Sequence, residues 1–180
     1  MTSSIQDVTP DACHHVYDVR RMSADDVVVR PVRRDELPAL AEALVETSEA
    51  QLANRWREQE LGYRELLVAQ QDGAYVGTVS IGESESPPTS LHLFALEVAP
   101  ERRGQGIGGS IVRYVVDEAR RRQRGSVYLE VRVDNPARRL YQRLGFRRTG
   151  ADFVNTWWRF RPDGTRDRVD EMSCRMTRRV

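Results

Sequence analysis

The stretch from Ser90 to Gly109 constrains the fold more than any other part of this chain. Leu91 and Leu93 are apolar at odd positions, whereas Leu96 and Val98 are apolar at even ones. A β-strand alternates its faces with period two, so one buried face holds both sets only if the strand carries an extra residue. The phase change therefore predicts a β-bulge at Phe94-Ala95 within a strand from Ser90 to Ala99. Bulges leave backbone groups unpaired and are frequent beside active sites. Arg102-Arg103-Gly104-Gln105-Gly106-Ile107-Gly108-Gly109 follows. Ile107, Ile111, Val112, Val115 and Ala119 then recur at helical spacing, which predicts a helix from about Gly108 to Arg122. Glycines let a backbone approach a phosphate closely, and a helix N-terminus adds partial positive charge. The segment reads as an anion site suited to a pyrophosphate.

The flanking pattern supplies the rest of an α/β domain. Val27 to Val32 is a short β-rich run that Pro31 makes an edge or early strand. Asp35 is placed to cap a helix bearing Leu37, Leu40, Ala41, Leu44 and Val45. A second helix, Glu49 to Leu61, carries Leu52, Ala53 and Trp56 on one side and is closed by Gly62. Leu66 to Ala69 and Tyr75 to Ile81 read as strands joined across Gln71-Asp72-Gly73. Glu83 to Thr89, with Pro87-Pro88, is a loop. Ser126 to Arg132 is a strand, followed by a short helix with Ala137, Leu140, Tyr141 and Leu144, a left-handed cap at Gly145, and Phe146 packing back. Phe153 to Phe160 and Val169 to Met176 form a terminal pair around a Pro162-Asp163-Gly164-Thr165 turn.

Composition narrows the class. The 180 residues fit one domain, expected over 27–180 after a polar leader at 1–26 that is disordered or folds late onto the domain. No run approaches the ~20 apolar residues of a membrane helix, so no membrane partner is expected. A net charge of +1 argues against nucleic acid. All 28 basic residues are arginine, so the chain offers no lysine of its own to modify. The run Arg120, Arg121, Arg122 and Arg124 reads as a solvated helix end. Cys13 and Cys174 lie far apart with no zinc spacing, and Cys13-His14-His15 is a weak metal signal, so no metal site is assigned. Two separated cysteines fit a reducing, cytoplasmic location.

Two arrangements compete for the glycine loop. Gly104-x-Gly106-x-x-Gly109, with Glu130 about twenty residues on, matches the dinucleotide fingerprint. In that fingerprint the first glycine follows the strand directly, and here Pro100-Glu101-Arg102-Arg103 intervene. No Gly-Lys-Ser/Thr follows, so the loop is not a P-loop. The segment Arg103-Gly104-Gln105-Gly106-Ile107-Gly108, preceded by Leu96-Glu97-Val98-Ala99-Pro100-Glu101, instead resembles the pyrophosphate motif of the GNAT superfamily of N-acetyltransferases. A second family signature, an Asn followed by a short helix with Leu-Tyr ending in Gly-Phe, is matched by Asn135 to Phe146. The resemblance covers roughly residues 27 to 178. It implies a mixed, mostly antiparallel sheet of six to seven strands flanked by about four helices.

The same resemblance implies direct acetyl transfer from acetyl-CoA, as cosubstrate, to an amine. The pyrophosphate would bind at Arg103, Gly104, Gln105, Gly106, Ile107, Gly108 and Gly109. The strand backbone at Leu96, Glu97 and Val98 would align the pantetheine. Counting back from Tyr141 with the family spacing selects Asp134 as a further pantetheine contact; counting from the strand selects Asn135. Tyr141 would be the general acid for the leaving thiolate. An alkyl amine, with a pKa near ~10.4, must also lose a proton. Three candidates for the base stand beside a water chain. His92 sits just before the bulge and titrates near neutral pH; Glu130 and Glu97 are the others. Trp157, Trp158 and Phe160 either border an acceptor pocket or simply pack the terminal strands. The expected partners are a small-molecule amine or peptide acceptor, with a homodimer as a further option. A non-catalytic acyl-CoA-binding regulatory module is the main alternative, a dinucleotide-binding protein the second. A degenerate module has no need of Tyr141, which is present.

Overall fold

The computed structural model describes residues 21–22, 27–84 and 89–180. Most of the leader, the Cys13-His14-His15 cluster and the Pro87-Pro88 pair lie outside the described residues. Eight strands form one sheet: β1 (Arg21–Met22), β2 (Val27–Pro31), β3 (Glu65–Gln71), β4 (Ala74–Glu83), β5 (Ser90–Val98), β6 (Ser126–Arg132), β7 (Arg147–Phe160) and β8 (Arg166–Arg179). Their order is β1-β2-β3-β4-β5-β6-β8-β7, and every neighbouring pair is antiparallel except β5–β6. Seven strands are substantial; β1 contributes two residues from the expected leader.

Helices α1 (Leu37–Ala43) and α2 (Glu49–Glu60) cover one face of the sheet, and α3 (Ile107–Arg121) and α4 (Arg138–Arg143) the other. Leu40, Leu44, Leu52, Leu66 and Val68 make the smaller core under α1 and α2. Ile111, Val112, Val115 and Ala119 of α3 pack on Leu91, Leu93, Val127 and Leu129 in the larger one. Leu96 and Val98, of opposite parity, pack against the same cluster. The extra residue that allows this is in place: Ala95 has φ +52°, and the β4–β5 register jumps from Ser80↔Phe94 to Thr78↔Glu97. The Asp72-Gly73 turn has φ values of +50° and +79°, the signature of a type I′ hairpin.

Several expectations differ. Asp35 caps nothing; it is exposed, and residues 34–36 form a 3-10 turn ahead of α1. Glu36 is the group that matters there: it accepts from the Arg33 N–H at 2.8 Å and pairs with Arg30. Helix α1 ends at Ala43, which leaves Val45 70% exposed instead of on the apolar stripe. Ala53 faces solvent, and Leu52 alone is fully buried on α2. The arginine run is not all solvated. Arg122 bridges Glu65 (2.5 and 2.7 Å) and Glu118 (2.6 Å), and Arg124 pairs with Glu83 at 2.9 Å, so the end of α3 is pinned to β3 and β4. Strands β7 and β8 are longer than the alternation suggested. No helix among the described residues is long and apolar enough to cross a membrane.

Candidate active site

The site begins where two strands part. The parallel pairing of β5 with β6 covers only Ser90↔Ser126, Leu91↔Val127 and His92↔Tyr128. Beyond His92, β6 continues against β8 while β5, past its bulge, pairs only with β4. The β6-facing backbone edge of β5 from the bulge onward therefore has no strand partner among the described residues, a ready seat for an extended ligand. Arg103 Nε donates to the Val98 carbonyl at this edge at 3.1 Å.

The glycine loop lies at the end of the same strand. Gly104 (φ +78°) and Gly106 (φ +86°) adopt left-handed conformations that a side chain strains, and Gly106 is the N-cap of α3. The first bond closing the helix runs from Ser110 N–H to Gly106 O. The N–H groups at 107–109 thus precede the intrahelical ladder and point outward. Gly108 packs closely: a Cβ there would lie 3.3 Å from Leu140 Cδ2 of α4 and 3.7 Å from Val98 Cγ2. Loop, strand and α4 therefore meet at one point. These donors and this cradle fit a pyrophosphate.

A cavity of about 970 Å³ opens on the other side of the gap, walled by α2, β5, β6 and the β7–β8 hairpin. Tyr141, His92, Glu130, Asn135 and Leu96 all line it. Tyr141 reaches it from α4 and is 7% exposed; its ring meets Phe146 edge-on at 6.0 Å, and burial pushes its hydroxyl up to about 12. His92 is stacked between Phe94 (4.6 Å) and Tyr128 (4.3 Å). Burial pushes its imidazole down to about 4, with Glu130 opposing that shift, and its Nε2 is buried without a partner among the described residues. Glu130 accepts from Arg175 Nη2 at 2.8 Å and Nε at 3.3 Å, both through Oε1.

Two candidate residues are not brought together with these. Glu97 lies on the α1–α2 side of the sheet, but it does not line the cavity: its carboxylate accepts from the Glu46 N–H (3.1 Å) and the Thr47 hydroxyl. Asp134 is exposed and paired with Arg132 at 2.5 Å. Asn135, one residue on, lines the cavity and accepts from the Ala137 N–H through Oδ1 at 2.8 Å, which leaves its NH₂ as the remaining donor. Trp157, Trp158 and Phe160 do border the cavity. The Phe160 N–H donates to Gln51 Oε1 at 2.8 Å, and Ser48 Oγ donates to the Phe160 carbonyl at 3.0 Å, so the hairpin tip is tied to α2. The arginines on the α2 side, Arg55 and Arg64, also line it. Sequence reasoning missed both, because a charged residue on an amphipathic helix or in a polar turn looks like solvated surface.

A family model described as the acetyltransferase (GNAT) family matches residues 29–146. The chain belongs to the GNAT family. Among curated relatives, mouse N-acetyltransferase 8B is 36% identical over 96 residues, covering 51% of this chain and 41% of that protein. The N-alpha-acetyltransferase RimI of Mycobacterium tuberculosis is 39% identical over 84 residues, covering 46% of this chain and 51% of that one. The chain thus spans about two fifths to one half of the length of these relatives. A putative acetyltransferase of Salmonella typhimurium, yncA, solved with acetyl-CoA, superposes with a TM-score of 0.61 at 19% identity, covering 85% of this chain and 93% of that one. The GNAT sheet removes the dinucleotide reading. It has one parallel pair and no doubly wound parallel half in which the Gly104, Gly106 and Gly109 spacing would carry that meaning.

Proposed function

We propose that this GNAT chain is an N-acetyltransferase that moves the acetyl group of acetyl-CoA directly to an amine. The observation that carries the reading is Tyr141. It stands on the coenzyme side of the sheet, yet it reaches through the β5–β6 gap into the cavity that holds His92 and Glu130. A module that only binds an acyl-CoA has no use for a buried phenol that lines a cavity with two titratable groups.

Bound acetyl-CoA supplies a thioester. Arg103 and the N–H groups at the start of α3, with Gly104 to Gly109 as the cradle, hold the pyrophosphate. The backbone of Leu96, Glu97 and Val98 and the Asn135 amide align the pantetheine, in preference to the outward-turned Asp134. Glu97 positions β5 against the α1–α2 loop and takes no part in proton transfer. A backbone N–H at the bulge faces the developing oxyanion. As the new N–C bond forms and the C–S bond breaks, one proton leaves the amine and another reaches the sulfur. Tyr141 still holds its proton at neutral pH, as an acid must, and gives it to the thiolate. Glu130 draws the ammonium form in and, through water, takes the proton whose loss makes it a nucleophile; the second N–H proton, lost as the amide forms, balances the one that Tyr141 gives to the thiolate. His92, uncharged near neutral pH, offers a hydrogen-bonding atom without repelling that ammonium. We place the reaction in the cytoplasm, a setting that suits the buried, unbridged Cys174.

The test is release of free thiol from acetyl-CoA across a panel of amines, peptides and amino acids. The reading expects acceptor-dependent release that Glu130→Gln lowers by about 10²–10⁴-fold. Tight acetyl-CoA binding with no release for any acceptor would favour the regulatory module instead.

A further inference from the structure

The acetyl-transfer steps leave Arg55 unused, and its surroundings are unusual for a cation. Arg55 lies on α2 and lines the cavity. Its Nη1 is shielded from solvent and has no hydrogen-bond partner among the described residues. Burial, then the nearby Arg64 guanidinium, push it down to about 10, so it remains charged at neutral pH. Glu97 and Glu58 offset part of that shift, but neither is free to pair with it. Glu97 is committed to the Glu46 N–H and the Thr47 hydroxyl. Glu58 accepts from Asn54 Nδ2 at 2.8 Å and pairs with Arg64.

Arg64 also lines this wall, with Glu58 as its counter-charge. It donates to Ser80 Oγ at 3.1 Å and lies 4.6 Å over the Phe94 ring, yet its Nε is buried with no partner among the described residues. One wall of the cavity is thus lined by two guanidiniums, while Glu130 stands on another. A buried cation without a counter-charge is costly, and a carboxylate is the group whose geometry matches a guanidinium fork. A polyamine would bring a second cation against two arginines. A peptide N-terminus would bring a neutral amide where the donors call for charge.

We infer that the acceptor is an α-amino acid: its carboxylate engages Arg55 and Arg64, its amine lies toward Glu130, and its apolar side chain meets Trp157, Trp158 and Phe160. The inference rests on the acetyl-transfer reading of this cavity and names its substrate class. The bond changes are those of that reading: the α-amine forms the N–C bond, and the thiolate leaves and is protonated.

The experiment measures binding of phenylalanine, leucine and methionine, and of their amides, to the full chain saturated with unacylated coenzyme A, so that no turnover occurs. The acids are expected to bind about 30-fold more tightly than their amides, the worth of a charged hydrogen-bonding pair. In Arg55→Met that ratio falls to within about threefold of one. The melting temperature of Arg55→Met should be no lower than wild type, since an unpartnered buried charge has been removed. Equal binding of acids and amides by the wild type, or a ratio that survives Arg55→Met, overturns the inference. Thiol release with peptides or polyamines and no carboxylate preference would sink it while acetyl transfer stands. Amino-acid binding without thiol release from acetyl-CoA would sink the transfer reading instead.

Discussion

At the scale of single residues, His92 shows how burial alters a group that sequence alone treats as ordinary. Imidazole in water titrates near 6.5, which made His92 a natural base candidate. Stacked between Phe94 and Tyr128 and largely buried, it is pushed down to about 4 and stays neutral in the folded protein over most of the accessible range. The unfolded chain binds its proton below about pH 6.5 and the folded chain only below about 4, so this residue's share of stability is complete above 6.5 and is lost as pH falls through that window. The loss amounts to about 3 kcal/mol. Urea unfolding at pH 7.5 and 4.5 should show the wild type losing about 2–3 kcal/mol more than His92→Phe. Equal losses would mean that the imidazole is solvated. The place of Tyr141 in the short helix was legible; the fates of Glu97 and Asp134 were not. A carboxylate's partner depends on which way a bulged strand or a turn aims it, and no local pattern records that.

At the scale of elements, the most informative mark in the sequence was the broken alternation of β5. It could be read because a buried face tolerates no slip, so Leu91, Leu93, Leu96 and Val98 report the bulge directly. The bulge needs room on the neighbouring strand, and Gly77 of β4 provides it. A Cβ there would stand 2.7 Å from the Glu97 carbonyl and 3.0 Å from Ile111 Cδ1. Gly77→Ala should destabilise the chain by about 1–3 kcal/mol and weaken acetyl-CoA binding as well, because β5 and α3 must both move. Calorimetric melting and coenzyme titration check this, and an unaltered variant would show that β4 does not hold the bulge in place. Less was legible where tertiary contacts outweigh local preference. Asp35 had the chemistry of a cap, but the Arg30–Glu36 pair, with the Tyr75 hydroxyl donating to Glu36 at 3.1 Å, draws the chain into a 3-10 turn. Strands β7 and β8 outrun their alternation because much of β7 is exposed and pairs with one neighbour only, so neither face demands a pattern.

At the scale of the whole molecule, the sheet acts as a partition with one opening. The coenzyme motifs lie on the α3–α4 side, and the cavity proposed for the acceptor lies on the side of α2 and the hairpin. Parting of β5 from β6 after His92 joins the two. The coenzyme half was readable because glycines and a helix start are local. The cavity half was readable only in part: Glu130 and Trp157 stood out, but Arg55 on α2 and Arg64 in the loop before β3 looked like solvated surface until the folded sheet brought them together. The central claim is that Tyr141 reaches through this opening to protonate the leaving thiolate. Single-turnover acetyl transfer by Tyr141→Phe, measured beside its acetyl-CoA affinity, tests that claim most directly. The account predicts a rate lower by about 10²–10⁴-fold with coenzyme affinity within about threefold of wild type; an unchanged rate at unchanged affinity would contradict it.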